Sequence, residues 1–125
     1  SFQSEKIIDE KGISFAIKKC LENCLKNLKI NPSEARVLLD GGLKAPAEYI
    51  NQKTIIKGDT KEMVIALASI CAKVIRDRKM REYSSSYPNY QFDKHKGYGT
   101  KLHYECINKY GLCVLHRKSF IDITT

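Results

Sequence analysis

Two acids stand where chemistry would place them. Asp40 closes the short apolar run Val37-Leu38-Leu39 and precedes Gly41-Gly42, while Asp59 follows Thr54-Ile55-Ile56 and Lys57-Gly58. Each apolar run reads as a short buried strand. Each carboxylate therefore falls near the carboxyl end of a strand, where open α/β sheets gather their ligands. Two carboxylates aimed into one crevice repel each other, and a bound divalent cation relieves the repulsion. Hard oxygen donors suit Mg²⁺ or Mn²⁺, which keep waters and phosphate oxygens as their remaining ligands. The same acids would also serve as turn formers or helix caps, since Asp-Gly is a common turn dipeptide. The residues alone leave both roles open.

A second constellation is Asp93-Lys94-His95-Lys96-Gly97-Tyr98-Gly99-Thr100. Its lysines and histidine offer phosphate contacts. Tyr98, set between Gly97 and Gly99, could bring an aromatic face or a hydroxyl close to a sugar or a base. RNA is told from DNA through its 2′-hydroxyl, and aromatic stacking often accompanies that readout. A solvated basic turn anchored by its tyrosine fits the spacing equally well. A third cluster, His116-Arg117-Lys118-Ser119-Phe120, either binds phosphate or docks the C-terminal tail through Phe120; the apolar anchor favours docking. His103, Cys106, Cys113 and His116 lack the tight ligand pair of tetrahedral zinc sites. No phosphate-binding glycine loop or Ser/His/Asp arrangement occurs.

Around these residues the chain reads as alternating helices and short strands, hence an α/β domain. Apolar residues from Ile13 to Leu28 recur at helical spacing, and Asn31-Pro32-Ser33 ends that helix. Strands are expected at 37–39 and 54–56. A helix is expected from about Glu62 to Tyr83, with Asp59 or Thr60 as its cap. Its first half, Met63 to Cys71, is apolar nearly all round and is expected to be buried. Residues 90–100 read as a polar surface loop, and Thr100 caps a last helix over 101–109 that Gly111 ends. No linker or repeat divides the 125 residues, so a single domain over 1–125 is expected. Two strands cannot make a self-sufficient sheet.

Composition narrows the function classes. Hydrophobic residues make up 42% of the chain, enough for a modest core. No apolar run approaches the roughly 18 residues that span a bilayer, so no membrane role and a cytoplasmic setting are expected. Five cysteines, an odd number without a Cys-x-x-Cys pair, argue against a disulfide framework. Cys20 and Cys24 fall on an apolar helical face and are expected to be core residues. The net charge is +8. Residues 60–125 carry +6 of it, a balance that suits a polyphosphate partner.

Six stretches, taken in order, resemble ribonuclease HII. They are Leu38-Leu39-Asp40-Gly41, Lys57-Gly58-Asp59, the helix from Ile65 to Asp77, Tyr87-Pro88-Asn89-Tyr90-Gln91-Phe92, His95-Lys96-Gly97-Tyr98-Gly99-Thr100 and His116-Arg117-Lys118-Ser119-Phe120. The resemblance implies an α/β, ribonuclease H-like fold with C-terminal helices. It implies an endonuclease that hydrolyses the RNA strand of RNA–DNA hybrids and cuts 5′ to ribonucleotides embedded in DNA, leaving a 3′-hydroxyl. The family uses four carboxylates and two ions, Mn²⁺ or Mg²⁺. By the same resemblance Asp40 and Asp59 are its third and fourth carboxylates, both metal ligands. Tyr98 packs on the sugar at the RNA–DNA junction, and Gly97 lets the chain approach it. Lys96, Arg117 and Lys118 lie near the phosphate backbone. The implied partner is a hybrid, or a DNA duplex containing ribonucleotides, bound by a monomer.

One departure from the family is large. Its opening Asp-Glu-Ala-Gly-Arg-Gly, which carries the first two carboxylates, does not occur, and the pair Asp9-Glu10 matches a mid-chain stretch instead. The expectation is therefore a C-terminal part of the catalytic domain, truncated at its N-terminal strands. It is either part of a working enzyme or a hybrid-binding piece that does not cut. Asp77 reads as structural, because five helical turns, on the order of 27 Å, separate it from Asp59.

Overall fold

The computed structural model describes residues 1–121. It divides into two compact units, residues 1–66 with the described residues from Val114 onward, and residues 67–113.

The first unit opens with helix α1 (Glu5–Lys11), capped by Ser4, whose Oγ accepts from the Ile7 amide at 3.4 Å. Gly12, at φ 83°, turns the chain directly into α2 (Ile13–Leu28). A left-handed Lys29 ends α2 at the expected residue. Strands β1 (Val37–Asp40) and β2 (Gln52–Ile55) pair in parallel, with Val37 opposite Gln52 and Asp40 opposite Ile55. In β1, Val37 and Leu39 are buried while Leu38 and Asp40 are half-buried, as period-two alternation requires. Val37 and Leu39 pack with Leu25 of α2 and with Ala45 and Tyr49 of the crossover to form the core.

The second strand begins two residues before the expected 54–56 and ends at Ile55. The Gln52 side chain accounts for the shift. Its Oε1 accepts from the Ala45 amide at 2.8 Å, and its Nε2 donates to the carbonyls of Ala45 and Tyr49. The strand is thereby pinned to the crossover loop at its first residue, and Ile56 is left 73% exposed past its end.

Helix α3 (Met63–Ser86) runs three residues beyond the expected end. It stops where Pro88 disfavours helical geometry at Tyr87. The larger correction concerns burial. Ile65 is 6% exposed, but Met63, Leu67 and Ile70 are more than half exposed. Composition sets what a helix can bury. Burial itself needs a covering surface, and the described residues supply none over most of this face. Cys24 is exposed and Cys20 half-buried, contrary to their expected core places, because the core meets α2 along Leu21 and Leu25.

In the second unit, residues 90–100 are not the polar surface loop expected. Tyr90 and His95 are buried, and Phe92 is 2% exposed. A 3-10 turn (Pro88–Tyr90) leads into the single-turn helix α4 (Phe92–His95). The Tyr90 and Phe92 rings stack at 5.5 Å, and the Tyr90 hydroxyl donates to the Gly111 carbonyl at 3.0 Å. Helix α5 (Lys101–Tyr110) starts at the expected cap, Thr100, whose Oγ accepts from the His103 amide, and ends at Gly111, φ 76°.

The tail cluster docks, but not through Phe120, which is 51% exposed. Asp9 does the docking. Its carboxylate accepts from the Lys118 amide at 2.9 Å, the Ser119 amide at 3.1 Å and the Ser119 hydroxyl at 2.5 Å. The Ser119 hydroxyl first, and its amide next, hold the Asp9 carboxyl below the ordinary carboxylate range. A lowered value in the folded state means the tie is fully present above the ordinary range and is lost as pH falls through the lowered value. The Ser119 amide resonance should therefore titrate with a midpoint below that of an unstructured aspartate. A midpoint at the ordinary value would remove Asp9 from this role.

Candidate carboxylate site and basic aromatic loop

Parallel pairing brings β1 and β2 to an end at the same edge, so Asp40 and the turn after Ile55 meet there. Oδ1 of Asp40 accepts from the Gly41 amide and the Gly58 amide, each at 2.7 Å. Gly58 is buried, and a side chain there would crowd Ile65. A Cβ there would stand 2.6 Å from Cδ1 of Ile65 and 3.4 Å from Oδ1 of Asp40. The Gly58 carbonyl in turn accepts from the amides of Lys61 and Glu62, which leads the chain into α3. Asp59 is the next residue. It lies in the 3-10 turn Gly58–Thr60, and its carboxylate is exposed. Asp59 therefore serves neither as a strand residue nor as the cap of α3. Thr60 does not cap α3 either, because its hydroxyl donates back to the Lys57 carbonyl at 2.9 Å.

These donors suit a hard divalent cation. Asp40 has one oxygen fixed by two amides, and among the described residues its Oδ2 makes no hydrogen bond. Asp59 adds an exposed carboxylate on the residue after Gly58. Among the described residues no three His, Cys, Asp or Glu side chains gather as a metal-holding group. Asp40 and Asp59 thus fit as two donors of a larger set, and waters, phosphate oxygens or further carboxylates would complete it.

In the second unit, Lys96 (φ 51°) and Gly97 (φ 78°) are successive left-handed residues that throw Tyr98 outward, 53% exposed. The Lys96 ammonium turns back onto the Asp93 carbonyl. A Cβ on Gly97 would meet Cε of Met80 at 3.2 Å, so this glycine is needed for close approach as well as for its φ. The Arg76 guanidinium lies 4.5 Å from the centre of the Tyr98 ring. Asp77 faces Arg76, its Oδ1 3.8 Å from Nη1, which supports a structural place for that acid. His95 is 5% exposed and bonded to backbone, not offered to phosphate as expected from its lysine neighbours. Arg117, in the first unit, lays its guanidinium 4.1 Å from the centre of the Phe120 ring, and Lys118 is exposed. Gly58 as the donor that fixes Asp40 went unread in the sequence; the Lys-Gly-Asp turn directly after a strand is the signal that could have found it.

A parallel strand pair ending at Asp40, a turn carrying Asp59 after the second strand and a basic, tyrosine-bearing loop define a class: an α/β protein whose acids are of the type that suits a hard cation and whose charge suits nucleic acid. The model of the ribonuclease HII family matches residues 1–123, and the chain belongs to that family, with its ribonuclease H-like fold. The chain is 52% identical over 116 residues to a ribonuclease HII of Caldicellulosiruptor bescii, covering 93% of this chain and 55% of that protein. It is 45% identical over 120 residues to that of Endomicrobium trichonymphae, covering 96% and 56%. To that of Clostridium beijerinckii it is 49% identical over 119 residues, covering 94% and 43%. The chain therefore spans about half the length of the curated relatives it matches.

Gly58→Ala should destabilise the protein by about 1–3 kcal/mol through overpacking against Ile65. Gly42→Ala, at a position with open space around it, should be close to neutral. Chemical denaturation of the two variants measures the contrast, and equal midpoints would show that the Gly58 contact is not held in solution.

Proposed function

We propose that this chain is the C-terminal part of a ribonuclease HII catalytic domain. In the complete protein it contributes to hydrolysis of the RNA strand of RNA–DNA hybrids and to cutting 5′ to ribonucleotides embedded in DNA. The observation that carries this reading is the Asp40 carboxylate, held by the Gly58 amide directly before Asp59. Oδ1 of Asp40 cannot swing away without losing two short hydrogen bonds, so Oδ2 is presented in a fixed direction. Asp59, on the exposed turn directly after Gly58, would supply the second carboxylate. The family depends on divalent metal, and Mg²⁺ or Mn²⁺ bound here would activate water and stabilise the leaving oxygen. Tyr98, outward and backed by Arg76, would pack on a sugar. Lys96, Arg117 and Lys118 contribute positive charge for the phosphate backbone, and Gly97 gives the backbone its close approach. The setting in this reading is the cytoplasm, with the protein a monomer.

A second reading has a specific observation behind it. Among the described residues no third acid joins Asp40 and Asp59. By itself the chain would then bind such duplexes without cutting them.

Cleavage of a DNA duplex carrying one ribonucleotide separates the two readings. In a protein of the relatives' full length, Asp40→Asn should abolish cleavage, with duplex affinity kept within about twofold. Retained cleavage would remove Asp40 from the site. The 125 residues alone should bind and not cut, and an Asp40-dependent cut by them would show that two carboxylates suffice. Tyr98→Ala should lower the preference for the ribonucleotide-bearing duplex more than it lowers affinity for plain DNA. Equal losses would make Tyr98 a loop anchor.

A further inference from the structure

The second unit also buries a pair of histidines that the proposed chemistry does not use. His95, the last residue of α4, and His103, in the first turn of α5, are 5% and 8% exposed. Their rings stack at 4.1 Å and 15°, and both stand edge-on to Phe92. Each ring is committed to the backbone of the tyrosine loop or its approach. Nδ1 of His95 receives the Gly97 amide at 3.1 Å, and Nε2 of His95 lies 2.6 Å from the Tyr90 carbonyl. Nδ1 of His103 lies 3.0 Å from the Tyr98 carbonyl.

The partners dictate where the protons sit. An amide can only donate, so Nδ1 of His95 is bare. A carbonyl can only accept, so Nε2 of His95 and Nδ1 of His103 each carry hydrogen. The two imidazoles thus hold the Lys96–Gly97 peptide by its N–H and the Tyr98–Gly99 peptide by its carbonyl. This matters because Lys96 and Gly97 are successive residues at positive φ, a conformation uncommon for a side-chain-bearing residue.

We propose that His95 and His103 are positioning residues that fix the direction in which Tyr98 is presented to the sugar at an RNA–DNA junction. They do not touch substrate, because both are buried and their assigned nitrogens face backbone. The proposal rests on the reading of Tyr98 as the junction contact.

The test uses the protein of the relatives' full length and compares affinity for a duplex with one ribonucleotide against the same duplex in DNA. His103→Leu keeps the volume and removes the donor. It should cut that ratio about tenfold, the scale of one lost hydrogen bond, and as far as Tyr98→Ala does. His103→Asn, whose side-chain amide can donate near the Nδ1 position, should restore most of the ratio. An unchanged ratio in a folded His103→Leu protein, beside a lowered one in Tyr98→Ala, overturns the positioning role and leaves the Tyr98 reading intact. If Tyr98→Ala itself leaves the ratio unchanged, the Tyr98 reading fails. The clamp is then judged on the Gly97 amide, whose hydrogen exchange should quicken about tenfold in His95→Leu and whose unchanged exchange overturns it. Should the variants not fold, the ring nitrogens of the unaltered protein decide by NMR. A proton on Nδ1 of His95 overturns the proposal, and one on Nε2 alone supports it.

Discussion

The hydrogen bond from the Gly58 amide to Oδ1 of Asp40 is the constraint on which the candidate site depends. It joins the end of β1 to the turn that follows β2, and it exists because the strands run parallel and finish together. A carboxylate that receives two amides is aimed before any ligand arrives, so less freedom is lost on binding. The same glycine accepts the hydrogen bonds that close the turn before α3, and it lies against Ile65 from that helix. One residue without a side chain therefore couples strand pairing, helix entry and carboxylate direction.

The second unit solves a related problem with aromatic rings. Its loop must hold two left-handed residues and an outward tyrosine, which a polar turn by itself does not secure. Phe92, nearly inaccessible, provides the floor on which Tyr90, His95 and His103 pack. Burying imidazoles costs free energy unless their nitrogens are bonded, and here the loop's own backbone supplies the partners. The enclosure and the loop geometry therefore support each other. Arg76 then covers the Tyr98 ring from α3 with a planar cation, an arrangement that steadies the ring without burying it.

Helix α3 shows the limit of reading burial from composition. Its first half is apolar nearly all round, yet only Ile65 is buried. The helix forms because its residues favour one and because the Gly58 turn starts it. Whether its face is dry depends on what lies over it. An exposed apolar patch of this kind marks a surface on which something else packs.

Local pattern in the sequence determined a good deal. The period of α2, the apolar run of β1, the Thr100 cap and the Gly111 stop each follow from interactions within a few residues, and all were legible. The ordered set of matched stretches carried the family, and with it the candidate roles of Asp40, Asp59 and Tyr98. What the tertiary structure decided were the matters of partnership. It moved β2 earlier through the Gln52 side chain, buried His95 against a carbonyl and an amide, and docked the tail on Asp9 rather than on Phe120. It also left most of the apolar half of α3 uncovered. The physical reason is one of range: helix period, caps and turns are set by neighbours in the chain, whereas burial and side-chain direction are set by whatever distant segment comes to lie against them.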